Sequence, residues 1–284
     1  MLNIVAIFLK ETRAVCPCIA ILVLLLLVFS QAVTAGTPNK KEQTNTFWQL
    51  DPDADFEGDG SNFCAPVAVS NGLIYLASAR GRTNLVNGTD RYAQIALIKA
   101  LAEHMETDPE IGTNPSKIIY GLDEYLQSKG FAFDRLEIAG WRRIDAEHKG
   151  FLVSRKPDMK WLREAAEDPD AVVILNNGWY RNAEDEGYIR KGGHFVIVVG
   201  AGPGVSEFQV HNSAIEPEKQ KKNTSVTLTT INGNLFADAT SNGVKELNLE
   251  GYFKIDGPGL PFTSKKAVFA ALDFVIVFKL KKQE

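Results

Sequence analysis

The 284-residue chain is 45% hydrophobic with a formal net charge of −4. That composition suits a globular protein with a sizeable core and gives no electrostatic reason to expect nucleic acid as a partner. The short Lys219-Gln220-Lys221-Lys222 cluster reads as a charged loop tip, and the length allows one large domain or two small ones.

Residues 1–35 read as an export signal and are set aside from the fold. Lys10 and Arg13 form a basic flank, Ile19 to Phe29 is almost wholly aliphatic, and Ala32-Val33-Thr34-Ala35 suits cleavage after Ala35. The expected location is exported, periplasmic or extracellular. The alternative is a membrane anchor through residues 15–35, because a span needs about twenty apolar residues. Membrane contact is expected only through that segment, if it stays uncleaved. Processing would remove Cys16 and Cys18 and leave Cys64 as the single thiol, so no internal disulfide could form. A lone thiol is either a small buried hydrophobe or a group that is used.

The next residues, 36–46, form a polar leader, and Phe47 to Leu50 opens the folded part. Asp51 to Asn62 is an acidic, Gly- and Pro-containing loop whose spacing does not give a calcium-binding loop. From Ala65 to Ala79 apolar and small residues alternate in the manner of a buried central helix, with Pro66 in its first turn. Cys64 stands at its start, where backbone N–H groups and the helix dipole favour a thiolate. A second helix is predicted over Tyr92 to Met105. A third runs from Pro115 to Ser128, capped by Thr113 or Asn114 and stopped by Gly130. Phe131, Phe133, Leu136 and Ile138 make a strand of imperfect alternation.

A short helix is expected over Asp158 to Glu167, then a strand over Ala171 to Leu175 and a polar loop from Asn176 to Arg190. Further strands are expected at Phe195 to Val199, Phe208 to Asn212, Val226 to Thr230 and Leu247 to Ile255. Ala267 to Ala271 suits a helix, and Phe274 to Leu280 a last strand. The fold class is therefore α+β, with a helical N-terminal half, a β C-terminal half and an active cleft between them.

The chemistry-bearing residues fit thiol-based acyl transfer. Such a reaction needs a thiolate, an imidazole that takes and returns a proton, and a group that orients the imidazole. Cys64, His194 and Asn212 are the candidates, and the cleft and the helix start are expected to favour a thiolate–imidazolium pair. His194 follows two glycines and opens a wholly apolar strand; its structural alternative is a histidine closing a turn. His211 precedes Asn212 and would point to the other face of the strand. The Cys64 backbone N–H is one oxyanion donor, and Asn62 and Gln49 are side-chain candidates for the second. Asn62 could instead make an Asx turn. Phe63, Trp179, Tyr180 and Gly193 are candidates for the substrate cleft, although the aromatic ones could equally be core. No clustered ligand set or HExxH suggests a metal, no Gly-x-Ser-x-Gly is present, and the Gly200 to Gly204 turn lacks the Lys-Ser/Thr of an ATP loop.

The stretch Asn62-Phe63-Cys64-Ala65-Pro66-Val67-Ala68 resembles the nucleophile motif of the papain-like cysteine peptidase superfamily, and within it the C39-like peptidases. Trp179-Tyr180 and Gly192-Gly193-His194-Phe195-Val196-Ile197-Val198-Val199-Gly200 resemble the family's histidine strand, and Val210-His211-Asn212-Ser213 falls where it carries Asp or Asn. The resemblance covers roughly residues 47–215. It implies a papain-like fold with an antiparallel sheet in the second half, and peptide-bond hydrolysis with no cofactor. The substrate would be a peptide or protein. Family members carry a glutamine about six residues before the nucleophile, where this chain has Gly58, so the choice between Asn62 and Gln49 stays open. The expected organisation is a signal or anchor (1–35), a leader (36–46), a C39-like core (47–220) and a β-rich extension (221–284) that completes or packs on the sheet. Two other functions fit the same residues: an inactive binding protein on this fold, and an amide hydrolase or acyltransferase acting on cell-wall or small amide substrates.

Overall fold

A computed structural model describes residues 40, 44, 46–142, 144, 156–184, 186–220, 224–260 and 266–283. The chain divides into two units, Met1–Asn39 and Lys40–Glu284, and the fold below is that of the second. The export-signal and cleavage readings, and most of the leader, lie outside the described residues. Against the membrane-anchored alternative, no helix among the described residues is long and apolar enough to cross a membrane. That alternative, and the membrane contact it implied, are withdrawn; the segment at 15–35 on which they rested lies outside the described residues.

Helices α1 (Cys64–Ala79), α2 (Arg91–His104) and α3 (Pro115–Ser128) come first, followed by strand β1 (Phe131–Gly140) and helix α4 (Met159–Glu167). Strands β2 (Val172–Asn182), β3 (Tyr188–Ala201) and β4 (Glu207–His211) precede the one-turn helix α5 (Pro217–Gln220). The rest is β5 (Ser225–Thr230), β6 (Phe236–Ala239), β7 (Val244–Asn248), β8 (Phe253–Asp256) and β9 (Phe269–Lys282). The architecture is mixed α+β, with N-terminal helices and a C-terminal sheet that closes on itself.

Closure follows from the pairing. β2 pairs with β3, β3 with β4, β4 with β5, β5 with β8, β8 with β9, and β9 returns to β2, every pair antiparallel. β1 lies outside this ring against β9, and the β6–β7 hairpin joins β3 through a short parallel pairing. Alternation along the strands supplies two cores. Val173 and Leu175 of β2, Val196 and Val198 of β3, and Val275 and Val277 of β9 face the interior of the ring, where Trp161 and Leu162 of α4 join them. Ile174, Phe195, Ile197, Phe274, Ile276 and Phe278 face the other way, onto the helices.

α1 is buried almost all round, from Ala65 to Ala77, which is why its sequence lacks a polar face. Leu73, Ile74 and Leu76 are at most 1% exposed, and each such side chain contributes about 2 kcal/mol of apolar burial. Gly72 lets the helix approach β2: a Cβ there would lie 2.6 Å from Val172 Cγ1. Asn114, not Thr113, caps α3, its side chain accepting the Ser116 N–H. Gly130 at φ +73° then turns the chain into β1. The imperfect alternation of β1 is a β-bulge between Phe133 and Arg135.

Three expected elements differ. Asn176 to Arg190 is no polar loop: β2 runs to Asn182 and β3 begins at Tyr188, so most of it is hairpin. The single strand expected over Leu247 to Ile255 is two, β7 and β8, parted by a turn at Gly251 with φ +78°. Helix is absent from the start of the last segment, where β9 is extended from Phe269 onward between β1, β2 and β8.

Candidate active site

Cys64 is placed by the loop before it. The loop folds through two tight turns, with Asp55, Gly58, Asp59 and Gly60 at positive φ. It is anchored by Phe56, whose ring stacks on Phe63 at 5.0 Å and meets Phe47 at 6.0 Å. Phe63 is therefore core, 5% exposed in a cluster with Val67 and Ile98; it does not line the cleft that holds Cys64, as the sequence suggested. Gln49 ties this loop to the β half. Its Nε2 donates to Ser61 O at 2.9 Å, its Oε1 accepts the Ser213 hydroxyl at 2.7 Å, and its N–H donates to Ser213 O at 2.8 Å.

His194 stands on β3 and Asn212 just beyond β4, and they meet: His194 Nε2 lies 2.7 Å from Asn212 Oδ1. Asn212 has no freedom to turn its amide round. Its Oδ1 also accepts the Ala214 N–H at 2.9 Å, while its Nδ2 donates to Gly259 O at 3.1 Å. The oxygen therefore faces the ring, so in neutral His194 the proton is on Nε2 and Nδ1 keeps the lone pair. Trp179 packs flat on the imidazole, with ring centroids 6.1 Å apart and planes at 19°. The indole passes over Gly192, where a Cβ would lie 3.5 Å from it. His194 is 5% exposed and Asn212 1%. The N–H of Phe195, the residue after His194, favours the thiolate form of Cys64.

A cleft of about 720 Å³ opens over Cys64 between the helices and the sheet. Asn62, Gly193, Asn176, Arg142 and Arg190 line it with Cys64. Asn62 donates one N–H to Pro109 O at 2.8 Å. Gln49, 4% exposed, is not in its lining. Tyr180, another expected cleft residue, is fully buried, with its hydroxyl on Asp273 at 2.7 Å; its strand turns it into a separate apolar cluster with Ile231, Tyr252 and Phe269.

Burial governs the charges. It pushes the Cys64 thiol up to about 11, against the N–H groups of Phe195, Ala65 and Cys64 that pull it down. Burial also holds His194 down to about 4, although its bond to Asn212 works in the opposite sense. At rest, the Cys64 thiol and the His194 imidazole are thus each neutral. The helix start and cleft do not outweigh desolvation, contrary to the ion pair expected from sequence.

Sequence reasoning missed Arg142, Arg190, Asp273 and Asn176. Arg190 and Asp273 form a buried pair, Nη2 to Oδ2 at 2.6 Å, with side chains 5% and 0% exposed. Asp273 also accepts from Tyr180 and from Trp141 Nε1 at 3.1 Å. A charged residue inside an apolar final strand is the signal that could have found it. Among the described residues, no group of three or more His, Cys, Asp or Glu side chains is arranged to hold a metal ion. Comparison with protein-family models, with curated proteins and with solved structures finds no match to this chain.

Proposed function

We propose that the protein is a thiol-dependent hydrolase of peptide bonds with a papain-like, C39-like site: Cys64 as nucleophile, His194 as base and acid, Asn212 as orienter. The observation that carries this reading is the doubly anchored Asn212 amide, which holds His194 with Nε2 protonated and Nδ1 basic. A histidine merely closing a turn needs no such arrangement.

In the reaction, Nδ1 takes the Cys64 proton as sulfur attacks the carbonyl carbon of the substrate. The oxyanion receives the Cys64 N–H at the helix start. Asn62 supplies the side-chain N–H, since it lines the cleft and has used one of its two donors. Nδ1–H then protonates the departing amine, leaving a thioester on Cys64. Water, deprotonated by Nδ1, attacks the thioester and releases the acid and the free thiol. Trp179 and burial keep bulk water off the His194–Asn212 bond.

Incubation with a mixed peptide library, read by mass spectrometry, tests this. Cleavage by the wild type that disappears in Cys64→Ala is expected; equal product patterns from the two would overturn the reading. A catalytically silent binding protein is the second reading, favoured by the neutral resting pair. It predicts peptide retention without turnover by either protein.

A further inference from the structure

We propose that the cleft over Cys64 binds a carboxylate-bearing peptide, with the guanidinium of Arg142 receiving the carboxylate. This deepens the hydrolase reading and rests on it for the identity of the ligand as a peptide. The observation is a cation with no paired anion among the described residues. Arg142 follows the end of β1, lines the cleft and is only partly exposed. Its guanidinium lies 5.6 Å from the Trp141 ring centroid, and that of Arg190 lies 5.7 Å from the same centroid. The two cations thus share one aromatic ring, and both line the cleft.

Arg190 is neutralised by Asp273 and holds Asn242 Oδ1 at 2.9 Å. Among the described residues no carboxylate forms an ion pair with Arg142. Burial and the charge of Arg190 press it down to about 10, against the pull of Asp273. A half-buried guanidinium held beside another is under positive potential that a ligand carboxylate would relieve, and its planar donors match a carboxylate bidentately.

The acidic residues of the cleft do not cancel it. Glu106 pairs with Lys117 at 2.5 Å, and Asp108 Oδ1 accepts the N–H groups of Glu110 and Ile111. A second observation points to a peptide. Asn176 lines the same cleft and is 2% exposed, and its Oδ1 has no hydrogen-bond partner. Its Nδ2 donates to His194 O at 3.3 Å, so the oxygen is the free end. Such an acceptor suits a substrate backbone N–H.

The carboxylate can be an acidic side chain or a chain terminus, and paired probes separate the two. N-iodoacetyl-Gly-Gly is compared as free acid and amide. N-iodoacetyl-Gly-Asp-amide is compared with its Asn counterpart. Modification of Cys64 is followed by peptide mapping at low salt in wild type, Arg142→Gln and Arg142→Lys. The acid-to-neutral rate ratio within each protein is the readout, so general loss of reactivity cancels. A ratio of about tenfold is expected in wild type for one pair, near unity in Arg142→Gln and intermediate in Arg142→Lys. The pair that responds identifies the source. A wild-type ratio near unity for both pairs, or one unaltered by Arg142→Gln, overturns the proposal. Failure of the hydrolase reading registers separately, as neutral-probe rates insensitive to His194→Ala. If Cys64 proves inert, the N-acetyl counterparts are titrated calorimetrically into the full chain. The same tenfold preference is then expected in Kd, and equal or absent binding of both forms overturns the proposal.

Discussion

Asp273→Asn should be among the most damaging isosteric changes in the chain. The Asp273 carboxylate is 0% exposed and all four of its partners are donors. Oδ1 accepts Tyr180 OH at 2.7 Å and Trp141 Nε1 at 3.1 Å; Oδ2 accepts Arg190 Nε at 2.7 Å and Nη2 at 2.6 Å. Room for it comes from Gly178, where a Cβ would lie 2.6 Å from both oxygens. An amide turns one oxygen into a donor facing donors, and leaves Arg190 buried without its counter-charge and beside Arg142. Removing one partner of a buried pair costs about 4 kcal/mol. For a unit of this size that lowers Tm by roughly 10 °C. Urea denaturation at pH 7 measures the loss. Arg190→Met with Asp273→Asn should cost clearly less than the two single changes summed, because the stranded charge is gone. A single-variant loss below about 1 kcal/mol would refute the reasoning, since it would mean that water or a rearrangement replaces the pair.

Asn212→Ala frees the imidazole to take the wrong tautomer, and peptide hydrolysis should fall about a hundredfold; activity within twofold of wild type would remove Asn212 from the site. Stability should decline in acid because of His194. Its folded pKa, about 4, lies below the ordinary 6.5, so the unfolded chain takes up the proton first. The contribution is whole above pH 6.5 and is lost as pH falls to 4, by about 3 kcal/mol. Urea titrations of wild type and His194→Gln at pH 4 to 7 should diverge by that amount, and parallel curves would contradict it. Gly72→Ala forces a methyl against Val172 and should cost about 2 kcal/mol in the same assay; a neutral result would show that α1 and β2 can part freely.

Much of the helical part was legible because its signals are local. α1 has no polar face, Asn114-Pro115 marks the start of α3, and Gly130 marks its end. The β part hid where tertiary pairing overrides composition. Asn176 and Asn177 read as loop, yet both are buried in β2 between β3 and β9. The alanines opening β9 suit a helix alone, but pairing with β2 and β8 extends them. Cys64, His194 and Asn212 stood out because each has a distinctive neighbourhood: a helix start, a glycine pair, a strand end. Arg190 and Asp273 did not, since their bond joins residues far apart in the chain, and a bulge in β9 between Leu272 and Phe274 is what turns Asp273 inward. Burial also shifts the Cys64 thiol up and the His194 imidazole down, which residue order does not encode.

The most direct test of the catalytic account is the pH dependence of Cys64 alkylation by iodoacetamide in wild type and His194→Ala. Without a base, the thiol reacts only as thiolate, and the rate climbs with pH toward about 11. With Nδ1 taking the proton, the wild-type rate should rise with deprotonation of His194 near 4 and stay level from about pH 5 until direct ionisation of the thiol takes over at higher pH. Between pH 5 and 8 it should exceed that of His194→Ala by at least about tenfold. Superimposable profiles, both climbing toward pH 11, would contradict the proposal that His194 serves Cys64.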